Sequence, residues 1–166
     1  MNAPAASLQV AVAEKVVCVK VNGPANFSAS PGFKTIANKL CAEADHAMLL
    51  DLTDCVTMDS TFLGVLASLS QRLDQPIELL NPGERISDLL DNLGVLEFFK
   101  TGDGENPLVT RLRDADAEPA DKREQTETSL DAHRTLMALN PENVPRFKDV
   151  AKFLEEDLAR QSGQEE

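Results

Sequence analysis

The residues best placed to do chemistry are Asp59, Ser60 and Thr61, a carboxylate and two hydroxyls in direct succession before an apolar helical pattern. Short polar side chains at that position accept hydrogen bonds from the first backbone N–H groups of a helix, which have no intrahelical partner. Asp59 or Ser60 therefore reads as an N-cap, a role worth about 1 kcal/mol. The remaining groups offer less. Asp51 and Asp54 close an apolar run, where a phospho-accepting aspartate could sit. However, residues 13–25 supply only Glu14 as an acidic companion, and Pro76 to Leu80 contain no Lys. Both carboxylates read as solvating a sheet edge.

His46 and His133 are the only histidines, and neither has Cys, Asp or Glu at a convincing ligand spacing. His133 falls on the apolar face of its helix and reads as a packed residue. Ser60 has no His near it in sequence to act as a base. Acidic positions from Asp114 to Asp121 lack the glycine and terminal glutamate of a calcium loop, and no glycine-rich phosphate loop occurs. These features imply no metal, no cofactor and no enzymatic activity. Cys18, Cys41 and Cys55 are odd in number without CxxC spacing, so they read as inert thiols in a reducing cytoplasm.

The elements that must position these groups follow from periodicity. Leu8, Val10 and Val12, then Val16 to Val21, read as a β-hairpin turning at Glu14-Lys15 and stopped by Asn22-Gly23-Pro24. Ser30-Pro31 has the form of a helix start, with Phe33, Ile36, Ala37 and Leu40 on one face. Ala47 to Leu52 is a nearly continuous apolar run expected of an inner strand, followed by a loop from Thr53 to Met58. The second helix carries Leu63, Leu66, Ala67, Ser70 and Leu73 on one face. Pro76 to Leu80 is a strand, Ile86 to Leu93 a third amphipathic helix, and Gly94 its left-handed cap. Strands alternating with helices predict a small mixed α/β sheet with helices mainly on one face.

Beyond Lys100 the texture changes. Residues 1–6 are expected to be a flexible N-terminus, 7–100 the α/β domain, 101–128 an acidic linker, and 129–161 a helical hairpin broken at Asn140-Pro141. Leu130, His133, Leu136 and Met137 mark one apolar face of that hairpin, and Val144, Phe147, Val150, Ala151, Leu154 and Leu158 the other. Such a pair needs a further surface, either its own domain or a second copy of the chain.

Composition limits the partners. Of 166 residues, 42% are hydrophobic, enough for a core, and the net charge of −12 disfavours nucleic acid and anionic membrane. No stretch reaches the about 18 apolar residues of a membrane span, and the N-terminus lacks a secretory pattern, so the chain reads as cytosolic.

The stretch from Asp54 to Leu66, DCVTMDSTFLGVL between a strand and a helix, resembles the signature of STAS domains, the family that includes the bacterial anti-anti-sigma factors. In that family an Asp-Ser-Ser/Thr triplet sits at the mouth of the second helix. Gly23 with its following helix, and Val95 to Phe99, are similar to two further family segments. The resemblance covers about residues 7–100. Phe62 stands where the family usually has Gly, and Pro24 to Phe27 replace a Leu-Asp pair.

The resemblance implies a non-enzymatic signalling adaptor in transcriptional regulation, phosphorylated at Ser60, with Thr61 as second acceptor. It implies a protein partner, an anti-sigma factor or Ser/Thr kinase, meeting Asp59, Ser60, Thr61, Phe62 and Leu63. A phosphate at Ser60 would bring about −1.5 to −2 charges to a helix end that carries about half a positive charge. Asp59 would oppose it, so surface charge would change sharply while the fold changed little. A constitutive scaffold whose helices mediate oligomerisation is the alternative.

Overall fold

The computed structural model describes residues 6–42, 46–117 and 119–164; most of the expected N-terminal tail, 1–5, lies outside them. The β-branched opening folds as expected: β1 (Ser7–Val12) and β2 (Val16–Ala25) pair antiparallel, with Val12 opposite Val17. Their two-residue period sends Leu8, Val10, Val17, Val19 and Val21 to one face and Ala11 and Cys18 to the other.

Two boundaries differ from expectation. Asn22-Gly23-Pro24 does not end β2. Gly23, at φ 91°, absorbs a register shift, and the strand continues to Ala25 beside β4 (Cys55–Met58). The stretch read as a loop from Thr53 to Met58 thus contains a strand, which pairs parallel to this extension. Ser30 lies inside α1 (Ser30–Leu40) rather than capping it; its hydroxyl turns back to donate to the Asn26 carbonyl at 2.8 Å.

β3 (Ala47–Asp51) runs parallel between β2 and β5 (Ile77–Leu80), and β6 (Phe99–Gly102) continues the sheet beyond β5. With β7 (Arg113–Ala115), the strand order is β6-β5-β3-β2-β1-β7. α1, α2 (Ser60–Ser70) and α3 (Gly83–Asn92) cover one face, where Phe33, Phe62, Leu66 and Leu90 pack against Val19, Leu50 and Leu79. Burying each such side chain contributes about 1.5–3 kcal/mol. Gly94, at φ 67°, ends α3 in the expected left-handed conformation.

Residues 101–128 revise the reading of an acidic linker. β6 extends to Gly102, the chain then crosses the second face of the sheet, and β7 adds antiparallel to β1. Leu108 and Leu112 cover Ala11, Cys18, Leu49 and Leu80. Amides supply the other anchors. Asn106 donates to Asp51 Oδ2 at 2.9 Å and accepts from the Leu108 N–H at 2.8 Å, while Asn81 exchanges two hydrogen bonds with Gly104. A polar sequence is held here by paired amides together with two leucines, so hydropathy alone does not reveal it.

The C-terminal hairpin consists of α4 (Lys122–Leu139), a 3-10 turn at Pro141–Asn143 and α5 (Val144–Gln164). α4 begins before the expected Ser129 because Asp121 caps it, accepting from the Glu124 N–H at 2.8 Å. The hairpin finds its surface on its own domain: Ala132 and Leu136 join the main core, while Leu130, Ala151 and Leu154 pack between the two helices.

Candidate functional site at the start of the second helix

Asp59 decides the local geometry. It holds extended backbone, φ −103° and ψ 175°, and accepts from the Phe62 N–H at 2.9 Å through Oδ1. Its Oδ2 accepts from the Phe27 N–H at 2.7 Å, tying the loop before α1 to the mouth of α2. Asp59, and not Ser60, is therefore the cap. Ser60 becomes the first helical residue and its hydroxyl is released from capping.

That hydroxyl is half-buried, and lies 2.8 Å from Nε2 of His133 on α4. His133 Nδ1 lies 2.7 Å from the Ser129 carbonyl oxygen, which can only accept. Nδ1 thus carries a proton, and in the neutral imidazole Nε2 receives the hydrogen bond from Ser60. The imidazole is 4% exposed and meets the Phe147 ring edge-on at 4.9 Å between centroids. Beside it, the Thr61 and Ser129 hydroxyls bond at 2.9 Å inside the α2–α4 contact.

Of the five residues named for partner contact, only Asp59 and Ser60 reach the surface. Thr61 is 4% exposed, and Phe62 and Leu63 are fully buried. Phe62, in place of the usual Gly, packs on Phe33 with centroids 4.6 Å apart. The sequence predicts one buried face for α2, yet Gly64 and Val65 are buried too. The sheet takes one side of the helix and α4 the other. A Cβ on Gly64 would collide with the Ala132 backbone, so the two helices approach as closely as glycine permits.

Sequence reasoning placed His133 as a packed residue and did not pair it with Ser60. A signal was present in the residues around it. Thr126, Thr128 and Ser129 are buried on the same helix, and hydroxyls on an inward face require polar company. Serine and imidazole stand at nucleophile–base spacing, but the group orienting the imidazole is a backbone carbonyl of its own helix rather than a carboxylate. The arrangement ties two helices together through the Ser60 hydroxyl.

The other candidates resolve differently. Asp51 does not solvate a sheet edge: it is 2% exposed and accepts from the Thr53 N–H at 2.9 Å, the Thr53 hydroxyl at 2.5 Å and Asn106 at 2.9 Å. Burial pushes its carboxyl up, but Thr53, Asn106 and nearby Lys20 together outweigh burial and hold it below the ordinary range. Asp54 pairs with Lys20 at 2.7 Å. Burial raises the Cys18, Cys41 and Cys55 thiols, which disfavours the reactive thiolate. Among the described residues no three His, Cys, Asp or Glu side chains could share a metal ion, and no helix is long and apolar enough to cross a membrane.

A STAS domain family model matches residues 7–110. Among solved structures, the chain is similar to an anti-sigma factor antagonist from Mycobacterium paratuberculosis at 18% identity and a TM-score of 0.57, covering 66% of this chain and 97% of that one. It also aligns with the anti-sigma factor antagonist SpoIIAA in its unphosphorylated form, at 15% identity and a TM-score of 0.49 over 59% of this chain and 89% of that one. No curated protein matches the sequence. The structural likeness concerns the fold, and the family match stops before β7, α4 and α5. Covering most of the chain and agreeing with the strand-loop-helix geometry at Asp59-Ser60, the family match assigns this protein to the STAS domain family.

Proposed function

We propose that this chain is a protein-binding adaptor of the anti-anti-sigma type, acting in the cytoplasm and controlled by phosphorylation of Ser60. The observation that carries this reading is the division of labour at the mouth of α2. Asp59 takes the capping duty with both carboxylate oxygens, leaving the Ser60 hydroxyl in the first turn to do something else. A Ser/Thr kinase would move a phosphoryl group from ATP onto Ser60 Oγ, with the hydroxyl proton leaving. The added charge would meet favourable N–H dipoles of α2 and unfavourable Asp59. An anti-sigma factor or kinase-type partner docked at that end would then be expelled by charge. Thr61, buried against Ser129, is the less accessible acceptor.

Intact mass of the natively expressed protein, with peptide mapping, should place one phosphate on Ser60. Ser60→Ala and Ser60→Asp should recover different partners from a lysate of the source organism. Identical partners for the two variants would remove the basis of the switch.

One observation favours a second reading, a constitutive scaffold without phosphorylation: Ser60 already donates to His133, and α4 covers α2. In that case Val150 and Phe153, 41% and 59% exposed on α5, would be the contact between copies of the chain. Protein carrying no phosphate, with both variants binding alike, is the result this reading expects.

A further inference from the structure

We infer that α4 and α5 form a displaceable cover over α2, so that the chain's own α4 and a partner helix compete for one surface. The inference rests on the proposed role of the α2 end only for its consequence; opening of the cover is a property of the unmodified chain.

The face that α4 turns inward is more polar than the core beneath α2. Thr126, Thr128, Ser129 and His133 are buried on α4 with Ala132 and Leu136, which join the main core, while Leu130 packs toward α5. The core under α2 is instead built from Phe62, Leu63 and Leu66, all fully buried. Separating α4 from α2 therefore exposes Ala132, Leu136 and the part of the core they cover, a smaller apolar surface than lifting α2, with Phe62, Leu63 and Leu66, off the sheet would expose. The two hydroxyl ties, Ser60 to His133 and Thr61 to Ser129, exchange for water at small net cost. The STAS match ends at residue 110, so the matched unit does not include the cover. Low cost and separateness are what a locally opening unit requires.

The cover also describes the partner. Gly64 has no room for anything larger than the small residue it faces, and Ser60 and Thr61 each need a hydrogen-bonding group opposite. The surface fits an α-helix presenting a small residue flanked by a hydroxyl and an imidazole or equivalent acceptor. α4 supplies that pattern as Ser129, Ala132 and His133. A substituent on Ser60 Oγ would occupy the space where Nε2 of His133 lies 2.8 Å away, so modification and closure exclude each other.

Hydrogen exchange of the full, unmodified chain tests the opening. The amides of α4 and α5 should exchange at least about tenfold faster than those of β3 and β5. Gly64→Ala should accelerate α4 and α5 about tenfold more while leaving β3 and β5 unchanged. Equal protection of α4 and β3 in the parent chain, or equal acceleration of both by Gly64→Ala, would show one cooperative unit and overturn the inference. A full chain carrying His133→Asp, with α2 intact, should bind a labelled synthetic peptide of residues 122–164 saturably, and the parent chain should not. Absence of saturable binding to the opened chain would overturn the helix-docking part. Neither measurement involves phosphate, so an unphosphorylated Ser60 would sink the proposed switch and leave this result standing.

Discussion

The Ser60 hydroxyl and the His133 imidazole meet at 2.8 Å although 73 positions separate them in sequence. This contact joins the first turn of α2 to the middle of α4, and it gives the C-terminal helices a direct bearing on the residue where the family signature lies.

Replacing His133 with alanine should weaken the fold measurably. The substitution leaves a gap beside Phe147 and removes the partner of a half-buried hydroxyl. Chemical denaturation should register a loss of about 1–3 kcal/mol. His133→Gln, which keeps a polar group on the stem, should recover part of it. A loss under about 0.5 kcal/mol would mean the contact contributes nothing beyond proximity.

Asp59→Ala removes the acceptor for two backbone N–H groups, those of Phe62 and Phe27. The expected cost is about 1–2 kcal/mol, seen as a lower thermal midpoint. Asp59→Asn should cost less, since its single amide oxygen still caps the helix. Equal midpoints for Asp59→Ala and the parent chain would argue that α2 is held by packing alone.

Acid should find Asp51. Its folded carboxyl titrates below the ordinary value of 3.8, so its stabilising effect is present above that pH and is lost as pH falls through the lower folded value. The parent chain should therefore be more stable than Asp51→Asn near neutrality, and the gap should close below about pH 4. Denaturation curves at several pH values give the comparison. A gap that persists unchanged into strong acid would contradict the charged, hydrogen-bonded state of Asp51.

Much of the α/β domain was legible in the linear sequence because the signals that specify it are local. The β-branched alternation of Leu8 to Val21 gives a hairpin with opposed faces, and Asp59 marks the start of α2 through its bond from the nearby Phe62 N–H. Gly94 takes a backbone angle that side chains resist. Each depends on neighbours in the chain, so spacing alone exposes it.

What only the tertiary structure decided concerns surfaces that meet after the chain has turned back on itself. Hydropathy assigned residues 101–128 to a linker, but Asn106 finds the buried carboxylate of Asp51 and β7 finds the open edge of β1. Periodicity put His133 on an inward face without naming what it would touch. A hydrogen bond between distant residues has no periodicity of its own: its energy exists only once packing has excluded water from both groups, and that exclusion belongs to the assembled fold.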